Sequence, residues 1–281
     1  MKNFAMTWMG AAVVALSLTA CAPKADKPAD KPAAAPGAAP AAAAPLNIRF
    51  GSDAAYAPFE FTTPSGEITG FDIEIAKAMC EELKANCTFQ NQAWDGIIPS
   101  LLAKKYDVIA SAMDITPERE KSVAFTQKIW SAPNKFVAKS GSAVQTTPEG
   151  LKGKLVGVQQ GTSQDFYLTK HFKDAMIKRY KTLEDAQKDL VNKRVEVVFA
   201  DGVTITDGFL KTPAGKDFAQ IGADISASAD PELLGRGTGF AVRKEDKELL
   251  ASLNKAFEAI RANGKYKQVA DKYFNFDIYG K

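Results

Sequence analysis

The sequence predicts an α/β fold of two similar halves, each a mainly parallel sheet flanked by helices. Three observations carry this expectation. Apolar strand-like runs alternate with helical stretches from residue 46 onward, the order that parallel sheets require. The alternation occurs twice, and the halves share a landmark: Asp107-Val-Ile-Ala and Glu196-Val-Val-Phe-Ala each follow a basic helix end and run on into an aspartate, Asp114 or Asp201. Two segments suit crossings between the halves, Pro133-Asn134 and the glycines at 235, 237 and 239, and two crossings make a hinge.

The elements follow in order. Leu46–Gly51 alternates like a strand, and Gly70-Phe-Asp opens an amphipathic helix through Lys84 with Asp72 as candidate N-cap. Cys87–Ala93 reads as a strand, Asp95–Lys105 as a helix and Tyr106–Met113 as a strongly apolar strand. Pro117 suits the first turn of a short helix carrying Glu118, Arg119 and Glu120. The second half repeats the pattern with strands at Lys154–Gln159, Met176–Lys181 and Val195–Ala200 and helices at Thr162–Phe172 and Leu183–Asn192. A loop-like stretch from Ile225 to Gly235 leads to a strand, Gly237–Arg243, and two helices at Lys247–Ala262 and Lys265–Phe274. The three glycines precede a strand, not a helix, which excludes a phosphate loop.

Composition narrows the function. A net charge of +3 lacks the concentrated basic excess of a nucleic-acid binder. One histidine and three cysteines leave little for a metal centre or a histidine relay, and no metal or cofactor is expected. Lys2 followed by an uncharged stretch with an apolar centre reads as a secretory signal over residues 1–21. Leu18-Thr-Ala-Cys21 resembles a bacterial lipobox, which implies lipidation of Cys21 and anchoring in a membrane, in the periplasm or at the cell surface. An uncleaved apolar anchor is the alternative. Residues 22–45 are rich in alanine, proline and lysine and form an extended spacer. Export makes a disulfide the default for the remaining pair, Cys80 and Cys87, against a redox or metal role.

Five segments then occur in register: Gly51-Ser-Asp-Ala-Ala-Tyr-Ala-Pro-Phe-Glu60, Gly70-Phe-Asp-Ile-Glu-Ile, Ser111-Ala-Met-Asp-Ile-Thr-Pro-Glu-Arg119, Gly157-Val-Gln-Gln-Gly-Thr162 and Gly237-Thr-Gly-Phe. With the closing Asn263-Gly-Lys-Tyr they resemble the polar amino-acid branch of the family 3 periplasmic solute-binding proteins, nearest the lysine/arginine/ornithine-, histidine- and arginine-binding members. The resemblance implies the type II two-lobed periplasmic-binding-protein fold, with residues 46–132 and 235–281 in one lobe and 133–234 in the other. It also implies an ABC importer with an inner-membrane permease as partner, a monomer, and a Cys80–Cys87 disulfide.

Residue by residue, the resemblance makes Arg119 the fork that holds the ligand carboxylate. Thr162 and Ser163, opening a helix after Gln159 and Gly161, add backbone donors. Ser111 and the backbone of Ala112 align with small polar contacts of the family, and the adjoining Met113 is expected at the ligand too. Alanine at 112 departs from the usual serine and leaves only a backbone contact. Asp114 and Asp201, one from each lobe, take the ammonium, so that ligand binding favours closure. Tyr56 and Trp94 sandwich the ligand side chain, and Asp53 meets its distal cation. Glu60 either joins Asp53 or is solvated. One arginine against three or four acids selects a cationic amino acid, arginine before lysine, ornithine or histidine, because a neutral one leaves Asp53 unpaired. Three rivals are a dehydratase of the cyclohexadienyl type on the same fold, a glutamine-type binder, and a surface lipoprotein that touches host molecules or a sensor kinase. His171, among lysines late in a helix, reads as solvated.

Overall fold

The computed structural model describes residues 46–280. The expected signal segment, Cys21 and the spacer lie outside the described residues.

The chain begins with β1 (Asn47–Ser52), a small antiparallel sheet of β2 (Ala55–Tyr56), β3 (Glu60–Thr62) and β4 (Ile68–Thr69), then α1 (Phe71–Leu83) and β5 (Asn86–Asn91). A 3₁₀ turn at Trp94–Gly96 leads into α2 (Ile97–Leu102), followed by β6 (Val108–Ile109), α3 (Pro117–Glu120) and β7 (Val123–Phe125). Next come β8 (Asn134–Lys139), β9 (Leu155–Gln159), α4 (Ser163–His171), β10 (Met176–Tyr180), α5 (Leu183–Val191) and β11 (Val197–Asp201). A π-helical segment (Thr204–Leu210), β12 (Phe218–Ile225), a 3₁₀ turn (Ala227–Ala229) and α6 (Pro231–Leu234) precede β13 (Ala241–Arg243), α7 (Lys247–Ala262) and α8 (Lys265–Tyr273).

Two five-stranded sheets result, ordered β5-β1-β6-β13-β7 and β10-β9-β11-β8-β12. In the first only β13 runs against the others, and in the second only β8 does. Each reversed strand is the first strand after the chain has crossed from the other sheet, and it enters between two strands of like direction. The crossing segments lie side by side: Ile129 N–H donates to the Thr238 carbonyl and Thr238 N–H to the Trp130 carbonyl.

Helices cover both faces of each sheet, as near-continuous apolar strands require. Phe50, Phe71, Met79, Phe240 and Phe257 pack one face of the first sheet, and Leu101, Tyr106 and Ile109 pack the other. In the second sheet Val156 and Phe199 pack with Leu168 of α4, and Val198 and Phe209 with Leu190 of α5. Among the described residues no helix is long and apolar enough to cross a membrane.

Three expectations are corrected. Gly70 (φ 124°), not Asp72, caps α1, because a Cβ there would lie 2.3 Å from the Phe59 carbonyl oxygen. Asp72 is buried in the first turn, where its carboxylate accepts from Ala112 N–H (2.9 Å) and Trp130 Nε1–H (2.7 Å). The run Tyr106–Met113 yields strand only at Val108–Ile109. Tyr106 turns inward to donate to the Ile97 carbonyl, and Ala112 sits at φ 43° and ends the extended path. β8 begins at Asn134, where a crossing segment was expected, and β12 occupies a stretch to which no element was assigned; the two pair antiparallel.

Cys80, late in α1, is joined to Cys87 in β5. Closing so short a loop contributes about 2–3 kcal/mol on the chain-entropy account. Replacing both cysteines by serine is expected to lower the melting temperature by about 5–10 °C in calorimetry. An unchanged melting temperature would refute a stabilising role.

Candidate functional site

The carboxyl ends of the parallel strands point into one crevice, as open α/β sheets arrange their ligands. Asp53 follows β1 and Asp114 follows β6. In the equivalent places of the second sheet, Gln159 and Thr162 end or follow β9, and Asp201 closes β11. A narrow cleft lies between the two sets. It is lined by Asp53, Tyr56, Glu60, Trp94, Ser111 and Ala112, by Asp114 and Arg119, and by Gln159, Thr162, Ser163 and Gln164.

Local structure aims each group. Thr116 accepts from Arg119 N–H and Pro117 occupies the first turn of α3, which turns Arg119 inward. Its Nη1 donates to the Asp114 carbonyl (2.9 Å), and its guanidinium lies 5.2 Å from the Trp94 ring centre. Gly161 (φ 72°) lets β9 turn sharply into α4. There Thr162 caps Asp165 N–H, and Asp165 in turn accepts from Gly161 N–H. The first turn of α4 therefore opens on the cleft with Ser163 at its start. Ser163 Oγ donates to Asp114 Oδ2, and Gln159 Nε2 donates to Asp53 Oδ2 (2.9 Å). Both bonds join elements of the two sheets.

The acids form a connected group. Ser111 Oγ accepts from Asp53 N–H (2.9 Å) and donates to Glu60 Oε1 (3.3 Å). Glu60 is not solvated but only 1% exposed, and its Oε2 has no hydrogen-bond partner among the described residues. Burial pushes the carboxyl of Asp53 up to about 6, despite the Gln159 bond that favours its charge. Burial raises Asp201 to about 7, against the Val203 and Thr204 N–H groups that its Oδ1 accepts. Burial also raises Asp114, opposed by Arg119 and Ser163. Glu60 is driven well above the carboxylate range by burial and then by Asp72 and Asp53.

Two expected site residues fall elsewhere. Met113 does not line the cleft, since its side chain is fully buried in the core beside Leu101 and Ile115. Asp201 lies behind the lining residues, close enough to raise Tyr56 and Glu60 electrostatically. The Ala112 N–H is already held by Asp72, so the backbone contact left at that position is its carbonyl. Tyr56 packs against the cores of both sheets. Gln164 is an addition. Its amide donates to Asn134 Oδ1 (2.6 Å) and ties α4 to the first residue of β8, a long-range pairing with no local sequence signal. His171 is partly exposed at the surface and shares Asp230 Oδ2 with Lys170, at the far end of α4 from Ser163. Among the described residues no cluster of histidine, cysteine and acids could hold a metal.

The comparisons with known proteins agree with this geometry. Residues 48–276 match the model of the bacterial extracellular solute-binding proteins, family 3. An L-arginine-binding protein of Pseudomonas aeruginosa is 45% identical over 240 residues, spanning 85% of this chain and 92% of that one. A histidine-binding periplasmic protein of Escherichia coli is 45% identical over the same length, 91% of its own chain. Among solved structures, a Salmonella typhimurium periplasmic binding protein described for its high arginine specificity superposes with a TM-score of 0.76. It is 37% identical, and the match covers 82% of this chain and all of that one.

Proposed function

Because the chain belongs to family 3 of the bacterial extracellular solute-binding proteins, we propose that it carries a cationic L-amino acid, arginine first, to an ABC permease of the inner membrane. Residues 46–132 with 235–281 and residues 133–234 act as the two jaws. The carrying observation is charge: Asp53, Glu60 and Asp114 line one cleft with the single guanidinium of Arg119, and Asp201 lies just behind them. Relatives that bind arginine or histidine support the same reading.

Each end of the ligand meets its complement. Arg119 and the first N–H groups of α4 take the carboxylate. Asp114, Asp201 and the Ala112 carbonyl take the ammonium. Tyr56 and Trp94 flank the aliphatic stem, and Asp53, Glu60 and the Gln159 amide meet the distal cation. Arginine matches best, because its guanidinium both stacks on an aromatic face and forks to a carboxylate. In this role the protein is a monomer held outside the cytoplasm by lipid on Cys21. It is a carrier rather than an enzyme, since the charged groups of the cleft have binding roles and His171 is engaged with Asp230.

A thermal-shift screen of the common amino acids tests this. Arginine, lysine, ornithine and histidine should raise the melting temperature, because they bind the native state alone. A rise with only neutral or acidic amino acids would overturn the ligand class. In calorimetry, Asp53→Asn should weaken arginine at least about tenfold and glutamine less than about threefold, since it leaves a buried cation without its counter-charge. Equal losses would contradict the role of Asp53.

A further inference from the structure

We propose that Glu60 is a proton-binding site that competes with the cargo: its carboxyl holds a proton in the ligand-free closed cleft and gives it up when the ligand's cation arrives. The inference rests on the reading of the cleft as a site for a cationic amino acid. The balance is simple. One O–H bond of the Glu60 carboxyl breaks, its electron pair stays on the carboxylate, and the proton leaves to solvent. The incoming cation takes over as counter-charge.

The geometry that points to this is the surroundings of Glu60. The residue lies on β3, in the middle of the small sheet, and is only 1% exposed. Its Oε1 accepts from Ser111, whereas Oε2 is buried with no hydrogen-bond partner among the described residues, and the residue itself lines the cleft. The ionisable side chains that bear on it from neighbouring elements are Asp72 on α1, Asp53 after β1 and Asp201 at the end of β11. Tyr56, from β2, lines the same cleft. The guanidinium of Arg119 is directed away, onto the Asp114 carbonyl and the Trp94 ring.

An ionised Glu60 would thus stand desolvated among like charges with an idle oxygen. Protonation removes the charge and makes that oxygen a donor. Burial and the neighbouring acids hold the Glu60 carboxyl well above the ordinary range, in keeping with this picture. Asp72 differs, since each of its oxygens accepts a hydrogen bond. Glu60 is where an unmet negative charge and a place for a cation coincide.

The sign follows from linkage. If binding releases protons, affinity rises with pH, and each proton released lowers Kd by up to about tenfold per pH unit. The experiment is titration calorimetry of the folded protein with L-arginine, whose guanidinium does not titrate. It is run from about pH 5.5 to 7.5 in buffers of different ionisation enthalpy, so that the buffer reports the protons exchanged.

The wild type is expected to release protons on binding, with Kd falling as pH rises. Glu60→Gln keeps the shape and the neutral state. It should release fewer protons, show a flatter pH dependence, and bind arginine nearly as well as the wild type at the acid end but more weakly at the alkaline end. Binding of arginine by the wild type without proton exchange would overturn the inference and leave the carrier function standing. So would a Glu60→Gln protein with the wild-type proton count. Asp53 and Asp201 can also release protons in this range, so if Glu60→Gln fails to fold the same count is taken on Glu60→Ala: a smaller number than the wild type supports the inference and an equal number overturns it. If no cationic amino acid binds, the functional reading falls and takes the inference with it.

Discussion

Arg119→Ala is expected to abolish amino-acid binding in titration calorimetry while leaving the circular dichroism and melting temperature close to those of the parent. The ligand carboxylate is buried on closure, and a buried carboxylate without a counter-charge costs several kcal/mol. Removing one partner of such a pair weakens binding by about 2–5 kcal/mol, roughly 30- to 5,000-fold. The loss should be common to arginine, lysine and histidine, because all share the carboxylate. Arg119→Lys should recover only a fraction, since an ammonium cannot fork to both oxygens. The fold should tolerate the change, because α3 is set by the Thr116 cap and Pro117 rather than by the guanidinium. A near-normal dissociation constant for Arg119→Ala would remove Arg119 from the site.

Gly208→Ala should weaken the same ligands although Gly208 does not line the cleft. A Cβ at this position would lie 2.4 Å from the carbonyl oxygen of Ala57. Gly208 belongs to the π-helical segment after β11, and Ala57 to the turn between β2 and β3. The two backbones meet beside Tyr56, where elements of both sheets come together. The added methyl can be relieved by separation of the two sides. Overpacking of about 1–3 kcal/mol would then be charged to the closed form, and Kd should rise roughly 5- to 150-fold. The ligand-free protein can open to escape the clash, so its melting temperature should change little. Small-angle scattering should show the liganded variant more expanded than the liganded parent. An unaltered Kd would mean that this contact does not gate closure.

Much of the architecture was legible because it is periodic. α7 begins and ends at the expected residues, Lys247 and Ala262, and α8 differs by one residue, since apolar spacing and Asn263-Gly264 act locally. The strands leading to the landmark aspartates, β6 and β11, hold the same third place in their sheets, although Asp201 closes its strand whereas Asp114 stands five residues beyond the end of β6.

What escaped was decided at long range. Asp72 read as a helix cap because its neighbours look like a helix start. Its real partners, Ala112 and Trp130, are 40 and 58 residues away. Glu60 left two readings open because a hairpin carboxylate is usually wet, and only the packing around it excludes water. β8 follows a proline, and β12 carries a glycine and an irregular register between Ile221 and Ile225, which hid both from pattern reading.

The placement of the reversed strands dictates an order of assembly. All five strands of the second sheet are drawn from one unbroken stretch, Asn134 to Ile225, so that layer can be finished as soon as the stretch is free. The first layer must wait. Its strand β13 fits between β6 and β7 but arrives only near the chain's end, so until then both neighbours keep raw, bondable edges. A nascent or truncated polypeptide stopped before Ala241 therefore pairs one mature half with one gaping half, and that interrupted species is where self-association should begin.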